Sequence, residues 1–186
     1  MGRLRLTIIL LLLPTWIWAQ EKPIAKQLQR QTFTAKVIRI IDGDTMEILY
    51  RNTPIKIRLA HIDCPEKRSK QPFGTQAKTV LSDLCFGQMV TVASEKQDRY
   101  QRLIAVITNS KKQIVNQEMI KLGMAWHFKK YSNDKLYAQL EIQARKQQKG
   151  LWQLPNPVPP WEWRKKRTLL SANSFQSPVQ TAQGNP

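Results

Sequence analysis

The sequence predicts a mixed α+β fold: five β-strands closing into one small barrel, with three α-helices packed around it. Three observations predict it. Residues 36–66 contain three runs of β-branched and aliphatic residues separated by two turn signals, which reads as a strand meander. Residues Met89 to Ala93 alternate, and Leu103 to Thr108 reads as a further strand. Three segments carry apolar residues at helical spacing, and the first falls between the third and fourth strands.

Taken in order, residues 1–19 stand outside the fold. Arg3 and Arg5 precede an apolar run from Thr7 to Leu13, and Trp16 to Ala19 leads to a cut after Ala19. That is the pattern of a secretory signal peptide, too short for a comfortable membrane span. Ile17 is larger than the usual small residue of a cleavage box, which leaves an uncleaved anchor as the alternative. The expectation is an exported chain, periplasmic or secreted. Residues 20–31 are polar and glutamine-rich and read as a flexible leader into the domain, which spans 32–152.

Within the meander, Asp42-Gly43 marks the first turn as a dipeptide favoured where a hairpin needs positive φ. Asn52-Thr53-Pro54 marks the second, because Pro54 cannot donate to a central ladder. A helix is predicted from Pro72, with Ala77, Val80, Leu81, Leu84 and Cys85 on its apolar side and Gly87 as its stop. Glu95 to Arg102 reads as a charged turn between the last two strands. A second helix spans Val115 to Leu122 and ends at Gly123. A third runs from Asn133 to Gln148, capped by Asn133 or Asp134 and burying Leu136, Leu140 and Ala144. Residues 153–167 form a Pro/Trp-rich basic extension, extended over 154–160 and anchored on the domain by Trp161 and Trp163. Residues 168–186 offer little to bury and read as a disordered tail. Five strands with a helix after the third describe the OB-fold, a partly open Greek-key barrel that often carries oligonucleotides.

Composition narrows the partner. Thirty Lys and Arg against 13 Asp and Glu give a formal charge of +17, spread along the chain, which favours a polyanion through counterion release. Two cysteines and two histidines are too few for a zinc site, and His61 and His127 read as structural or surface residues. Cys64 and Cys85 leave two readings open: a single disulfide, permitted in an oxidising compartment, or two separate buried thiols.

The polar residues that interrupt the strands carry the chemistry. Asp44 opens the second strand, Arg58 interrupts the third, and Asp63 and Glu66 follow its end. Asp44 and Asp63 can offer a hard cation such as calcium two carboxylates, with Asp42 close enough to support them. Glu66 is placed to act as general base or to orient water, and Arg58 and Arg102 to hold phosphoryl oxygens with their planar forks. Each residue alone has a bland reading, as a hairpin turn, an outward strand position or a surface charge. Together they would have to coincide in the right order.

The motifs I-D-G-D-T at 41–45, I-R-L-A-H-I-D-C-P-E at 57–66, D-R-Y-Q-R at 98–102 and V-N-Q-E-M-I-K-L-G-M-A at 115–125 resemble the staphylococcal nuclease (thermonuclease) family over residues 33–152. P-P-W-E-W-R at 159–164 is similar to exported bacterial members. The resemblance implies an OB-fold barrel with calcium-dependent cleavage of DNA and RNA, leaving 5′-hydroxyl and 3′-phosphate ends. It further implies Asp44, Asp63 and the backbone carbonyl of Cys64 as calcium ligands, Arg58 and Arg102 on the phosphate, and Glu66 as the catalytic carboxylate. Arg99 and Tyr100 would lie near the nucleotide, and a monomer is the default. Two positions depart from the family pattern: Cys64 stands where threonine is familiar, and Gln101 where glycine is usual. If that glycine serves a positive φ, glutamine there costs on the order of 1 kcal/mol. The rival class is a catalytically inactive OB-fold module of the cell envelope that only binds nucleic acid. It has no need of the five charged residues together.

Overall fold

The computed structural model describes residues 24–174. The expected signal segment 1–19, the start of the leader and the tail from 175 onward lie outside the described residues. Strands β1 (Thr32–Asp42), β2 (Thr45–Tyr50), β3 (Thr53–Leu59), β5 (Met89–Gln97) and β6 (Leu103–Thr108) close into a barrel of order β1-β2-β3-β6-β5. The expected barrel is present, and it is complete.

Closure depends on the length of β1. Its first half, Thr32 to Lys36, pairs with β5, and its second half, Lys36 to Asp42, pairs with β2. Irregular register between Val37 and Arg39 and between Ile40 and Asp42 bends the strand as it changes partner. The seam is completed by β3 and β6, which pair in parallel at Ile57–Leu103, Arg58–Ile104 and Leu59–Ala105. Pro54 has β2 on one side, opposite Leu49, and lies outside the register with β6, so its missing N–H interrupts no second ladder. Val37, Met46, Ile48, Ile57, Leu103 and Ile107 are fully enclosed at the centre.

The first turn is where expected, for a different reason. Gly43 has no positive φ. A Cβ placed on it would lie 2.8 Å from the Ala77 Cβ and 2.9 Å from the Cys64 Cβ, so glycine is there because the turn sits on its neighbours. Positive φ falls instead at Arg51 and Asn52 in the second turn.

The three expected helices are α2 (Gly74–Cys85), α3 (Val115–Lys121) and α4 (Lys135–Lys146). The chain adds a short α1 (Ile24–Gln27), a two-stranded sheet of β4 (Ile62–Asp63) with β7 (Trp126–His127), a 3-10 turn at Gly150–Gln153 and α5 (Pro160–Ser174). Several expectations change accordingly. The described part of the leader is docked: Leu28 is buried, its carbonyl accepts from the Ser94 hydroxyl, and Ser94 Oγ in turn accepts from Gln31 N–H. The charged turn shrinks because β5 continues to Gln97 through an irregularity between Ser94 and Lys96. On α4, Asp134 is the cap and accepts from Leu136 N–H at 2.8 Å, but Leu136 faces outward and Tyr137 takes the inner position beside Leu140 and Ala144. Glu141 joins that inner face because Arg145 holds its carboxylate. The extended segment ends at Pro159; from Pro160 the chain is helical to Ser174, into what was expected to be a disordered tail.

Both cysteines are free and buried, so the disulfide reading falls. Cys64 lies under Gly43 against Ala77, whereas Cys85 is eight residues further along α2, about 12 Å of helix axis. That offset puts Cys85 at the far end of α2 from the turn where Cys64 packs. Burial pushes the Cys85 thiol up to about 12, and its Sγ donates to the Leu81 carbonyl at 3.1 Å.

Candidate active site

The barrel rim formed by the β1–β2 turn, the end of β3 and β4 gathers the acidic residues. Thr45 pairs with Arg58 across the β2–β3 ladder, which brings Asp44, the preceding residue, to the guanidinium. Asp44 Oδ2 lies 3.1 Å from Arg58 Nη2 and accepts the Cys64 N–H at 2.9 Å, while its Oδ1 accepts from the Thr45 hydroxyl at 3.0 Å. A tight reversal at His61, with φ of +67°, carries the chain from β3 into β4 and turns Asp63 back toward Arg58. Asp63 Oδ1 accepts from Arg58 Nη2 at 2.8 Å. The two carboxylates therefore share one guanidinium nitrogen.

Arg58 is held as firmly as it holds them. Its Nη1 donates to the carbonyls of Leu59 and Ile62, both at 2.9 Å. Burial disfavours its charge, but Asp44 and Asp63 more than offset this and raise the guanidinium above its ordinary value. Asp63 is 1 % exposed, and burial lifts its carboxyl to about 6 against the opposing pull of Arg58, with Asp44 adding to the rise. Burial also lifts Asp42, whose Oδ1 accepts the Gly43 N–H at 2.9 Å and which feels the charges of Asp44 and Glu66.

Glu66 is set at the mouth by its backbone. Its N–H donates to Gln71 Oε1 at 3.0 Å and its carbonyl accepts from Gln71 N–H at 3.1 Å. Gly74 lets the start of α2 abut this loop, since a Cβ there would lie 2.7 Å from the Lys67 nitrogen. The Glu66 side chain, only partly buried, meets Arg164 Nη1 at 2.5 Å.

Arg164 was not singled out in the sequence, where it opens a run of four positive charges. From α5 its Nη2 reaches Asp63 Oδ2 at 2.8 Å, so it bridges Asp63 to Glu66. Only the fold distinguishes it from Lys165, Lys166 and Arg167.

Arg102 stands apart from this cluster. Its Nε donates to Asp98 Oδ2 at 2.8 Å, and Asp98 Oδ1 accepts the N–H groups of both Tyr100 and Arg102. The loop is thus wound on Asp98, with Gln101 at φ of +61°, the conformation for which the missing glycine would be suited. Tyr100 is exposed between two cations, Arg99 at 4.8 Å and Arg102 at 5.4 Å from its ring centroid.

Among the described residues no three His, Cys, Asp or Glu side chains converge as a ready metal cage. The donor chemistry nevertheless fits a hard cation: buried carboxylates at Asp44 and Asp63, with Asp42 nearby and no imidazole in the group. Burial keeps the Cys64 thiol neutral by pushing it well above its ordinary value. Burial is the largest cause of the rise at Asp63, with Arg58 and Arg164 opposing it and the neighbouring Asp44 adding to it.

A closed five-stranded barrel carrying paired carboxylates and an arginine at its rim is an OB-type scaffold, and its likeness to known proteins makes it a nuclease hydrolase. A profile of the family described as "Staphylococcal nuclease homologue" matches residues 56–154, and the chain belongs to that family. It is 43% identical over 149 residues to an uncharacterized endonuclease of Haemophilus influenzae, covering 80% of this chain and 82% of that protein. It is 39% identical over 143 residues to a micrococcal nuclease of Shigella flexneri, covering 72% and 81% of the two chains. An uncharacterized endonuclease of Escherichia coli is 38% identical over 132 residues, covering 71% and 85%. The profile takes in Arg58, Asp63, Glu66 and Arg102 and stops ten residues before Arg164.

Proposed function

We propose that this chain is an exported, calcium-dependent endonuclease that hydrolyses phosphodiester bonds in DNA and RNA, leaving 5′-hydroxyl and 3′-phosphate ends. The observation that carries the reading is the buried Asp44–Arg58–Asp63 unit with Glu66 at its mouth. Asp44, Asp63 and the Cys64 carbonyl are the residues that would hold calcium, with Asp42 adding negative charge beside them. Calcium, when bound, supplies Lewis-acid polarisation of a phosphoryl oxygen and electrostatic relief for the carboxylates.

The chain's own residues do the rest. Glu66 orients the attacking water and, acting as base, takes its proton as the water oxygen bonds to phosphorus. The P–O5′ bond breaks on the opposite side, and the departing oxygen takes a proton from solvent. Arg58 holds Asp44 and Asp63 aligned on one guanidinium nitrogen and adds positive charge to the site. Arg102, paired with a single carboxylate at Asp98, would release it to bind the phosphate. Arg99 and Tyr100 offer a cation and an open ring to the neighbouring nucleotide.

One observation favours the inactive binding module as second reading: Arg164 covers Asp63 and Glu66. Turnover separates the two. Single-stranded DNA in millimolar calcium is expected to be degraded, with cleavage abolished by EDTA and slowed about 100-fold or more in Glu66→Gln. Tight, salt-sensitive binding without cleavage in calcium would leave only the module.

A further inference from the structure

Three arginines bear on the proposed reaction, two of them in contact with the site carboxylates, and counting their donors separates them. A guanidinium has five N–H groups. In Arg58, both Nη1 protons go to the carbonyls of Leu59 and Ile62, and Nη2 serves Asp63 and Asp44. Only its Nε–H is left for a phosphate, and its side chain is 11% exposed. Arg102 is bound to Asp98 across the neighbouring loop. Arg164 is different. Its side chain is 44% exposed, and its side-chain partners are two site carboxylates, the buried Asp63 and Glu66 at the mouth.

The helix that carries it is fixed in place on both sides. Gln71 Nε2 donates to the Val158 carbonyl at 2.7 Å, and Trp163 Nε1 donates to Ser69 Oγ at 2.8 Å. Trp161 stacks on Phe128 at 5.4 Å with an interplanar angle of 5°. Gln71 and Ser69 belong to the loop that positions Glu66, so α5 and the Glu66 loop form one unit. Arg164 can change partner by side-chain rotation alone while its backbone stays put.

We propose that Arg164 is a third phosphate-binding arginine, a catalytic residue supplied by the C-terminal helix and parked on Asp63 and Glu66 until substrate arrives. The proposal rests on the nuclease reading. A divalent cation at Asp63 places like charge beside the guanidinium and removes its partner. The scissile phosphate then offers two oxygens to the same fork, which suits two parallel charge-assisted bonds. The positive charge that neutralised the resting carboxylates is thereby transferred to the group where negative charge accumulates during cleavage.

The role predicts two effects of opposite sign. In Arg164→Gln, kcat on single-stranded DNA falls about 100-fold, the loss typical of one transition-state donor. Calcium affinity, read by calorimetry without nucleic acid, is retained or rises several-fold because a competing cation has left Asp63. Arg164→Lys keeps a charge for the resting pairs but not the fork, and its kcat lies between the other two. Thermal melting of all three proteins verifies the fold. A Gln variant as fast as or faster than wild type would overturn the proposal, leaving Arg164 as a mere cover. A fall in kcat together with lost calcium binding would also overturn it, because Arg164 would then only support the site. An inactive wild-type protein would instead sink the nuclease reading itself.

Discussion

At Gln101 the backbone holds φ at +61° in a loop whose other members are wound on the Asp98 carboxylate. Left-handed backbone costs a side chain with a Cβ about 1 kcal/mol relative to glycine, and more when the Cβ is branched. Gln101→Gly relieves that strain but gives the unfolded chain more freedom, so urea denaturation is expected to show a change of less than about 1 kcal/mol. Gln101→Val has no such offset and is expected to lose about 1–2 kcal/mol. A valine variant as stable as wild type would show that the loop is not held in this conformation. The same scale shows what could be read in advance. That Asp44, Arg58, Asp63 and Glu66 would lie close together was legible, because a strand meander brings residues of neighbouring strand ends together and the sequence marks those ends with turns. Arg164 was not, since it lies 98 residues from Glu66 in a charge run whose members differ only in where a helix points them. Gly43 was found for the wrong reason, because a close approach to Ala77 and Cys64 is a tertiary fact with no local signature.

The β7–α4 connection shows the same limits for an element and carries its own titration. His61 Nδ1 and His127 Nε2 both meet the Ser132 hydroxyl, at 3.0 and 2.9 Å, while His127 Nδ1 is buried with no partner. Burial pushes His127 below its ordinary value, with Glu141 opposing and Lys129 and His61 adding to the fall. The unfolded chain therefore takes up this proton at a higher pH than the folded one. Stability is fully present above the ordinary histidine value of about 6.5 and is lost as pH falls below it. Urea midpoints measured from pH 8 to pH 5 are expected to decline, and His127→Asn to flatten that decline; parallel curves would assign it elsewhere. On α4 itself the helix was legible but its inner face was shifted, because Leu136 and Tyr137 both fit helical spacing with Leu140 and Ala144. The pairing of Glu141 with Arg145, which lets a carboxylate face inward, decides between them. The helical start of α5 did have a signal: Pro160 occupies the first helical position and Glu162 the first turn, a favourable N-terminal pairing hidden within a run of prolines.

Over the whole molecule, the excess of positive charge has a direction. A groove of about 580 Å³ runs from Arg164 between the β7–α4 connection and α5, with Lys129, Lys130, Arg145 and Lys165 along it. Arg145 is held by Glu141 and lies 3.8 Å above the Trp152 ring, so it serves the fold, whereas the three lysines are available to a polyanion. With Arg99 and Arg102 of the β5–β6 loop added to the three lysines, a strand that engages both regions would meet about five cations. For single-stranded nucleic acid this corresponds to a slope of about −3.5 in log K against log salt. Binding in EDTA, where turnover is prevented, is the measurement that reads it. Replacing Lys129 and Lys130 with glutamine is expected to reduce the slope by about 1.4 without changing the thermal midpoint much, since exposed lysines contribute little to stability. An unchanged slope in that variant would place the strand elsewhere on the surface, and the net charge of +17 would then describe solubility rather than a path to Asp63 and Glu66.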